Sequence, residues 1–254
     1  MKLATWNVNS IKVRLPQLID WLAVARPDVL CLQEIKTEEV KFPRAEIDAA
    51  GYQAAVSGQK TYNGVAILSR LPLHDLSSGI PGFPEEQKRV IACTIDGERV
   101  VCVYCPNGQA VGSEKYDYKL RWFAALKDYV ASELSRNPRL VVAGDFNVAP
   151  EDRDVHDPKA WEGQVHVSEP ERAAWRALLE LGLTDSFRLF EQPEKSFSWW
   201  DYRMMGFRRN AGLRIDQILL ASELAGRCTA CNIDKSPRKH ARPSDHAPVI
   251  AELF

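Results

Sequence analysis

Residues 139–150 read RLVVAGDFNVAP, an apolar run that stops at a glycine and two polar side chains. Leu140 to Ala143 has the continuous apolar character of a strand buried on both faces. Such a strand would ordinarily end in solvent-facing turn residues. Here Asp145 and Asn147 stand at the tip on either side of Phe146. A carboxylate and an amide so placed make either a plain turn or a site, and the neighbouring strands decide between the two.

Similar runs recur along the chain, among them KLATWNV, DVLCLQE, YQAAVS, GVAILSR, VIACTI, RVVCVYC, RIDQILLAS and APVIAELF, each bounded by Pro, Gly, Asn or Asp. Asn63-Gly64 lies between two of them and signals a hairpin. Helical spacing appears in RLPQLIDWLAVA, with Leu15, Leu18, Ile19 and Leu22 on one face. It appears again from Ser113, a candidate N-cap, and from Ser168, which forms a capping box with Glu171 before a terminal Gly182. Strands joined partly by hairpins and partly by helices predict two packed sheets with helices outside, an α/β arrangement in one domain spanning 1–254.

At 254 residues, with 45% hydrophobic and 26% charged side chains, the composition is that of a globular protein. The longest apolar stretches are far too short for a membrane span. MKLATWNVNS shows no extended apolar region before a small-residue cleavage site, so a cytoplasmic protein with reduced thiols is expected. The pairs Cys102/Cys105 and Cys228/Cys231 have CxxC spacing. RVVCVYC reads as a strand, however, and residues three apart on a strand face opposite ways, so core cysteines are expected rather than zinc ligands. A P-loop is excluded, because GQKT lacks the glycine before lysine.

Read together, the strand tips carry a consistent chemistry. They present Asn7, Glu34, Tyr104, Asn107, Asp145, Asn147, Asp216, Asp245 and His246. Asp216 lies between Ile215 and Ile218, where an unpaired charge is costly, and His246 is a natural partner. Carboxylates and amide oxygens are hard ligands that suit Mg²⁺ or Mn²⁺. Such a set has the parts for phosphate-ester hydrolysis: charge neutralisation, a base for water, and donors for phosphate oxygens.

The motifs WNVNS, LQEIK, YCPNG, GDFNVAP, GLRIDQILLAS and RPSDHAP, in this order, resemble the exonuclease III branch of the endonuclease/exonuclease/phosphatase superfamily. The resemblance extends through SGQKTYNGVAILSR and FSWWDYR and so covers essentially the whole chain. It implies a DNase I-like four-layer α/β sandwich, two packed mixed β-sheets between helices, with the site at one edge. It implies that Asn7 and Glu34 bind metal with Asp245 nearby, and that Asp145 orients and deprotonates water. Asn147 would stabilise the transition state, Tyr104 would act near the leaving oxygen, and Asn107 would contact the phosphate. His246, oriented by Asp216, would hold a non-bridging oxygen. Asp145, Asn147 and His246 also belong to the wider set of candidate ligands for one or two Mg²⁺ or Mn²⁺ ions.

Net charge is −1, so affinity for nucleic acid needs a local patch. Two segments without acids supply one: 203–214, with Arg203, Arg208, Arg209 and Arg214, and 235–242, with Lys235, Arg238, Lys239 and Arg242. Aromatic residues, Trp199 and Trp200 among them, interleave with the first segment and are expected to meet bases or sugars. The resemblance further implies that Trp199, Leu213 and Ile215 line a pocket for a base-free sugar.

The reaction implied is magnesium-dependent hydrolysis of DNA: 3′-to-5′ exonuclease, 3′-phosphatase and AP endonuclease of base-excision repair. The partner is double-stranded DNA with 3′ ends, nicks or abasic sites, met by a monomer with no membrane and no obligatory protein partner. His166 is expected to narrow access for a flipped abasic sugar. The alternative within the superfamily is a phosphomonoesterase for a small-molecule or lipid phosphate. A non-catalytic DNA-binding regulator is a third reading, against which stands the presence of every catalytic group.

Overall fold

The computed structural model describes residues 1–84 and 87–254. The chain runs through β1 (Lys2–Asn7), α1 (Ile11–Ala25), β2 (Val29–Gln33), α2 (Arg44–Ala49), β3 (Gln53–Ser57), β4 (Val65–Ser69), β5 (His74–Ser78), β6 (Val90–Ile95) and β7 (Glu98–Tyr104). It continues with α3 (Glu114–Arg136), β8 (Leu140–Asp145), α4 (Pro158–Trp161), α5 (Glu169–Leu179), β9 (Leu183–Asp185), β10 (Trp199–Trp200) and β11 (Gly212–Leu213). The last elements are β12 (Asp216–Ala221), α6 (Ser222–Ala225), β13 (Cys228–Ile233) and β14 (Val249–Leu253).

Two six-stranded mixed sheets result, ordered β13-β14-β1-β2-β4-β3 and β5-β6-β7-β8-β12-β9, with β10-β11 as a separate ribbon. Among the described residues, only β1 with β2 and β7 with β8 run parallel; the other pairings are antiparallel. Strand parity separates three apolar layers. Val29, Cys31, Ile67, Val100, Cys102, Val141 and Ile218 fill the space between the sheets. Leu30, Leu32 and Leu68 turn outward to Leu18, Trp21 and Leu22 of α1. Val101, Val103 and Val142 turn outward to Trp122, Phe123 and Leu126 of α3 and to Trp175 of α5. The expected four-layer sandwich is the fold of this chain.

Local signals play out as the residues require. Ser113 accepts a hydrogen bond from the Tyr116 N–H at 3.2 Å and starts α3. The Ser168–Glu171 capping box is formed. Asn63 and Gly64 both take positive φ, 52° and 86°, at the end of a loop longer than a two-residue turn. Gly144 in β8 has a steric reason to be glycine: a Cβ there would lie 1.9 Å from the Val103 carbonyl oxygen of β7. Cys102 faces the inter-sheet core and Cys105 the helix side, as parity demands. Sequence reasoning missed β5, a wholly exposed polar edge strand, as well as the short β9 to β11 and the half-exposed β13. No helix among the described residues is long and apolar enough to cross a membrane.

Candidate active site

The site is a continuation of the inter-sheet face past its last apolar layer. In β1, Leu3 faces inward, and two-residue periodicity carries Thr5 and Asn7 to the same side. Val100, Cys102 and Tyr104 do the same in β7, Val141, Ala143 and Asp145 in β8, and Asp216, Ile218 and Leu220 in β12. Parallel pairing puts the C-terminal ends of β1 and β2 together and those of β7 and β8 together. Antiparallel pairing sets Asp216 opposite Asp145. β14 runs antiparallel to β1, so the segment before it delivers Asp245 and His246 beside Asn7.

Glu34 has the wrong parity for this face. Its φ of 49° takes the chain out of extended geometry immediately after β2, a strain that non-glycine residues adopt rarely, and re-aims the side chain. Below the carboxylates lies a polar floor that sequence reasoning overlooked. Gln33 donates to Thr5 at 3.0 Å and to the Cys102 sulfur at 3.3 Å.

The Asn7 amide nitrogen bridges Glu34, at 2.8 Å, and Asp145, at 2.9 Å. Its Oδ1 accepts from the Asn9 N–H, so a ligand role would require that oxygen to turn inward. Asp145 Oδ1 receives the Asn147 N–H at 2.9 Å, and Oδ2 lies 3.8 Å from His246 Nε2. His246 Nδ1 donates to Asp216 Oδ2 at 2.8 Å. Asp216 is itself held by Ser198, whose hydroxyl donates at 2.6 Å and accepts from its backbone N–H. Ser244 accepts the His246 N–H and donates to the Asn7 carbonyl. Asp245 is held by Asn9 at 2.9 Å and by Trp199 Nε1 at 3.0 Å. Ser198, Ser244 and Asn9 are the supports missed from sequence. All three stood within quoted motifs, FSWWDYR, RPSDHAP and WNVNS, but lie where no periodicity shows which way a side chain points.

Charge in this pocket is tightly coupled. Burial, followed by the like charges of Asp216 and Glu34, pushes Asp145 up to about 7 against the pull of His246 and Asn7. Burial alone would depress His246, but Asp216 and then Asp145 raise it to about 10, so it is cationic at neutral pH. Burial opposes ionisation of Asp245 as well, yet His246, Asn9 and Trp199 hold it below the usual carboxylate range. Burial beside Glu34 and Asp145 holds the Tyr104 hydroxyl well above its ordinary value, which keeps it a neutral donor. Glu34, Asp145 and His246 each offer an atom within 4.8 Å of the others. Lys36 pairs with one Glu34 oxygen at 2.8 Å, and the other hard oxygens of Glu34 and Asp145 fit a divalent cation.

A model of the endonuclease/exonuclease/phosphatase family matches residues 4–246. This chain belongs to that family. Exodeoxyribonuclease III of Haemophilus influenzae is 36% identical over 266 residues, which span 100% of both chains. Among solved structures, the 3′ phosphatase NExo from Neisseria, bound to product DNA hairpin, superposes with a TM-score of 0.98 at 48% identity, covering 100% of this chain and 99% of that one. An AP endonuclease from Archaeoglobus fulgidus gives 0.96 at 42% identity with the same coverage.

Around this family centre the remaining expected residues divide. Arg208, Arg209 and Lys239 are exposed, as is Arg203, which pairs with Asp201 at 2.6 Å. Arg238 and Trp200 were expected to face DNA, and here the structure corrects the reading. Trp200 is wholly buried against Phe207. The Arg238 guanidinium stacks over Trp200, Tyr202 and Phe207 and donates to the Ser244 carbonyl, so it packs beneath the rim. Arg214 is likewise no part of the patch, being buried and paired with Asp154 and Asp185. Leu213 and Ile215 form an apolar wall with Ala149, Val155 and Val167, against which Trp161 and Trp199 pack. His166 lies beside it, its ring centroid 6.3 Å from that of Trp161. Burial and the nearby Lys119 depress its pKa to about 3, so it is neutral; Nδ1 donates to the Asn147 carbonyl at 2.6 Å. Asn107 contacts both His166 and Asn147 at 3.4 Å. It also borders a cleft of about 720 Å³ lined by Tyr62, Asn63, Arg89 and Lys115.

Proposed function

We infer that this chain is a metal-dependent DNA-repair nuclease that hydrolyses phosphate esters of double-stranded DNA. One centre trims 3′ ends, removes 3′-phosphates and incises beside abasic sites. The observation that carries the reading is the meeting of Glu34, Asp145 and His246 within 4.8 Å at the ends of the inner strands. Arg208, Arg209 and Lys239 are exposed and so free to meet a phosphate backbone, which supports the reading.

Glu34 and Asp145 would hold Mg²⁺ or Mn²⁺, with Asn7 and Asp245 close by. When bound, the cation supplies positive charge to the phosphate oxygens and favours ionisation of water. Asp145, its other oxygen fixed by the Asn147 N–H, takes the proton of the attacking water. Cationic His246, fixed by Asp216, donates to a non-bridging oxygen; a doubly protonated imidazole is a donor and not a metal ligand. Asn147 and Asn107 present amide groups to the phosphate, and the Tyr104 hydroxyl faces the leaving oxygen. Half-buried Trp199 meets the base-free sugar, with Leu213 and Ile215 packed behind it and not themselves exposed, while exposed Met204 and Met205 wedge into a distorted duplex.

End-labelled duplexes with a blunt end, a 3′-phosphate or one abasic analogue test this reading. Shortening or nicking should occur with Mg²⁺ and vanish with EDTA. Turnover of small phosphate esters with the DNA left intact would instead establish the phosphomonoesterase.

His166 borders the sugar-pocket wall, so His166→Ser should raise abasic-site incision relative to 3′-phosphate removal. A ratio of rates measured on the two substrates reads the effect. An unchanged ratio would remove the steric account.

A further inference from the structure

Behind the two asparagines lies an ion pair with no exposed surface on either partner, Lys119 of α3 and Glu171 of α5. The Lys119 ammonium donates to the Glu171 carboxylate, to the Asn147 carbonyl at 2.7 Å and to the Asn107 carbonyl at 3.2 Å. All three of its protons are therefore spent, two of them on backbone that carries site residues. Glu171 in turn accepts the His166 N–H at 3.0 Å and the Ser168 N–H at 3.3 Å. His166 returns a bond to the Asn147 carbonyl, so that one oxygen is gripped from two sides. Asn147 needs such a grip, because its φ of 52° places it in left-handed backbone.

A buried pair of this kind is poor evidence for stability. Replacing both charges by neutral groups of similar volume is often harmless, while removing one alone is not. Its placement is the informative feature, since it joins the loop of Asn107, the tip of β8 and the loop of His166 at a single point. We propose that Lys119, held by Glu171, is a positioning residue for phosphate-ester hydrolysis, fixing the backbone of Asn107 and Asn147 so that their amides meet the reacting phosphate. The proposal rests on the reading of Asn147 as a group that touches the transition state. Misplacing such a group by about 1 Å lowers rates on the order of 100-fold.

The test is a double-mutant cycle on the full chain with a 3′-phosphate duplex and Mg²⁺. Lys119→Met combined with Glu171→Gln removes both charges and keeps an acceptor for His166. We expect kcat to fall ~10- to 100-fold while KM stays within about threefold. In an Asn147→Ala background the same paired change should cost less than about threefold, because the group it positions is gone. Lys119→Arg, which keeps the buried charge, takes the place of the pair in the same cycle if circular dichroism finds the pair unfolded. A full rate in the Lys119→Met/Glu171→Gln pair, or a loss equal in both backgrounds for whichever variant is folded, would overturn the positioning role. Full activity in Asn147→Ala alone would instead overturn the transition-state reading of Asn147, so the two failures are told apart.

Discussion

Asp145→Asn should abolish 3′-end trimming, 3′-phosphate removal and abasic-site incision together, each by at least about 10³-fold, since a general base is worth 10² to 10⁴ and a metal ligand is lost with it. Both oxygens of Asp145 are engaged in this one centre, Oδ1 with the Asn147 N–H and Oδ2 with Asn7 and close to His246. Asparagine keeps the shape and removes the charge. The fold should survive and even gain. The folded-state value of Asp145, about 7, is raised above that of an unfolded aspartate, so its contribution to stability is present at low pH and lost as pH rises towards 7. A thermal midpoint at pH 7.5 in EDTA should accordingly be higher in the variant than in the parent. Rates for the three substrates, measured on one preparation, decide the catalytic claim. If one activity persisted at the parental rate, a second centre would be required.

The next largest effect is expected from Asp216→Asn, about 10²-fold at pH 8, the scale of losing one charged donor to a transition-state oxygen. Asp216 is the charge that does most to lift His246 to about 10. Without it the imidazole should titrate much nearer its ordinary value of about 6.5. The parent holds His246 cationic through the working range, whereas the variant loses the proton as pH rises through neutrality. The loss in rate should thus be smaller at pH 6 than at pH 8, and the falling limb of the pH–rate profile should move to lower pH. Ser198 can still donate to the asparagine oxygen, which limits structural disturbance. NMR titration of the His246 ring checks the shift directly. A profile superposing on the parent's would mean that His246 does not act as a cation.

The centre was legible in the sequence because it lies at the ends of apolar runs. Asn7, Glu34, Tyr104, Asp145, Asp216 and His246 each interrupt or terminate such a run, and a polar group there has either a partner or a purpose. The rim was less legible. Arg238 and Trp200 sit in segments whose composition suggests exposure, yet they stack on one another, because a guanidinium over an indole satisfies both at low cost. Arg214 reads as one more cation in a basic stretch, while in space it neutralises Asp154 and Asp185 from distant parts of the chain. Composition counts charges and is silent on which of them are consumed internally.

The sequence by itself determined the longer apolar strands, the capped helices and the identity of the groups that terminate the inner face. Those follow from short-range rules of periodicity, turn chemistry and capping, which any stretch of ten residues expresses. Only the tertiary structure decided that Ser198 and Ser244 hold Asp216 and His246, that left-handed backbone re-aims Glu34, and that Lys119 of one helix reaches two asparagine loops. These contacts join residues far apart in the chain, and they exist only once burial has removed the water that would otherwise satisfy each group alone.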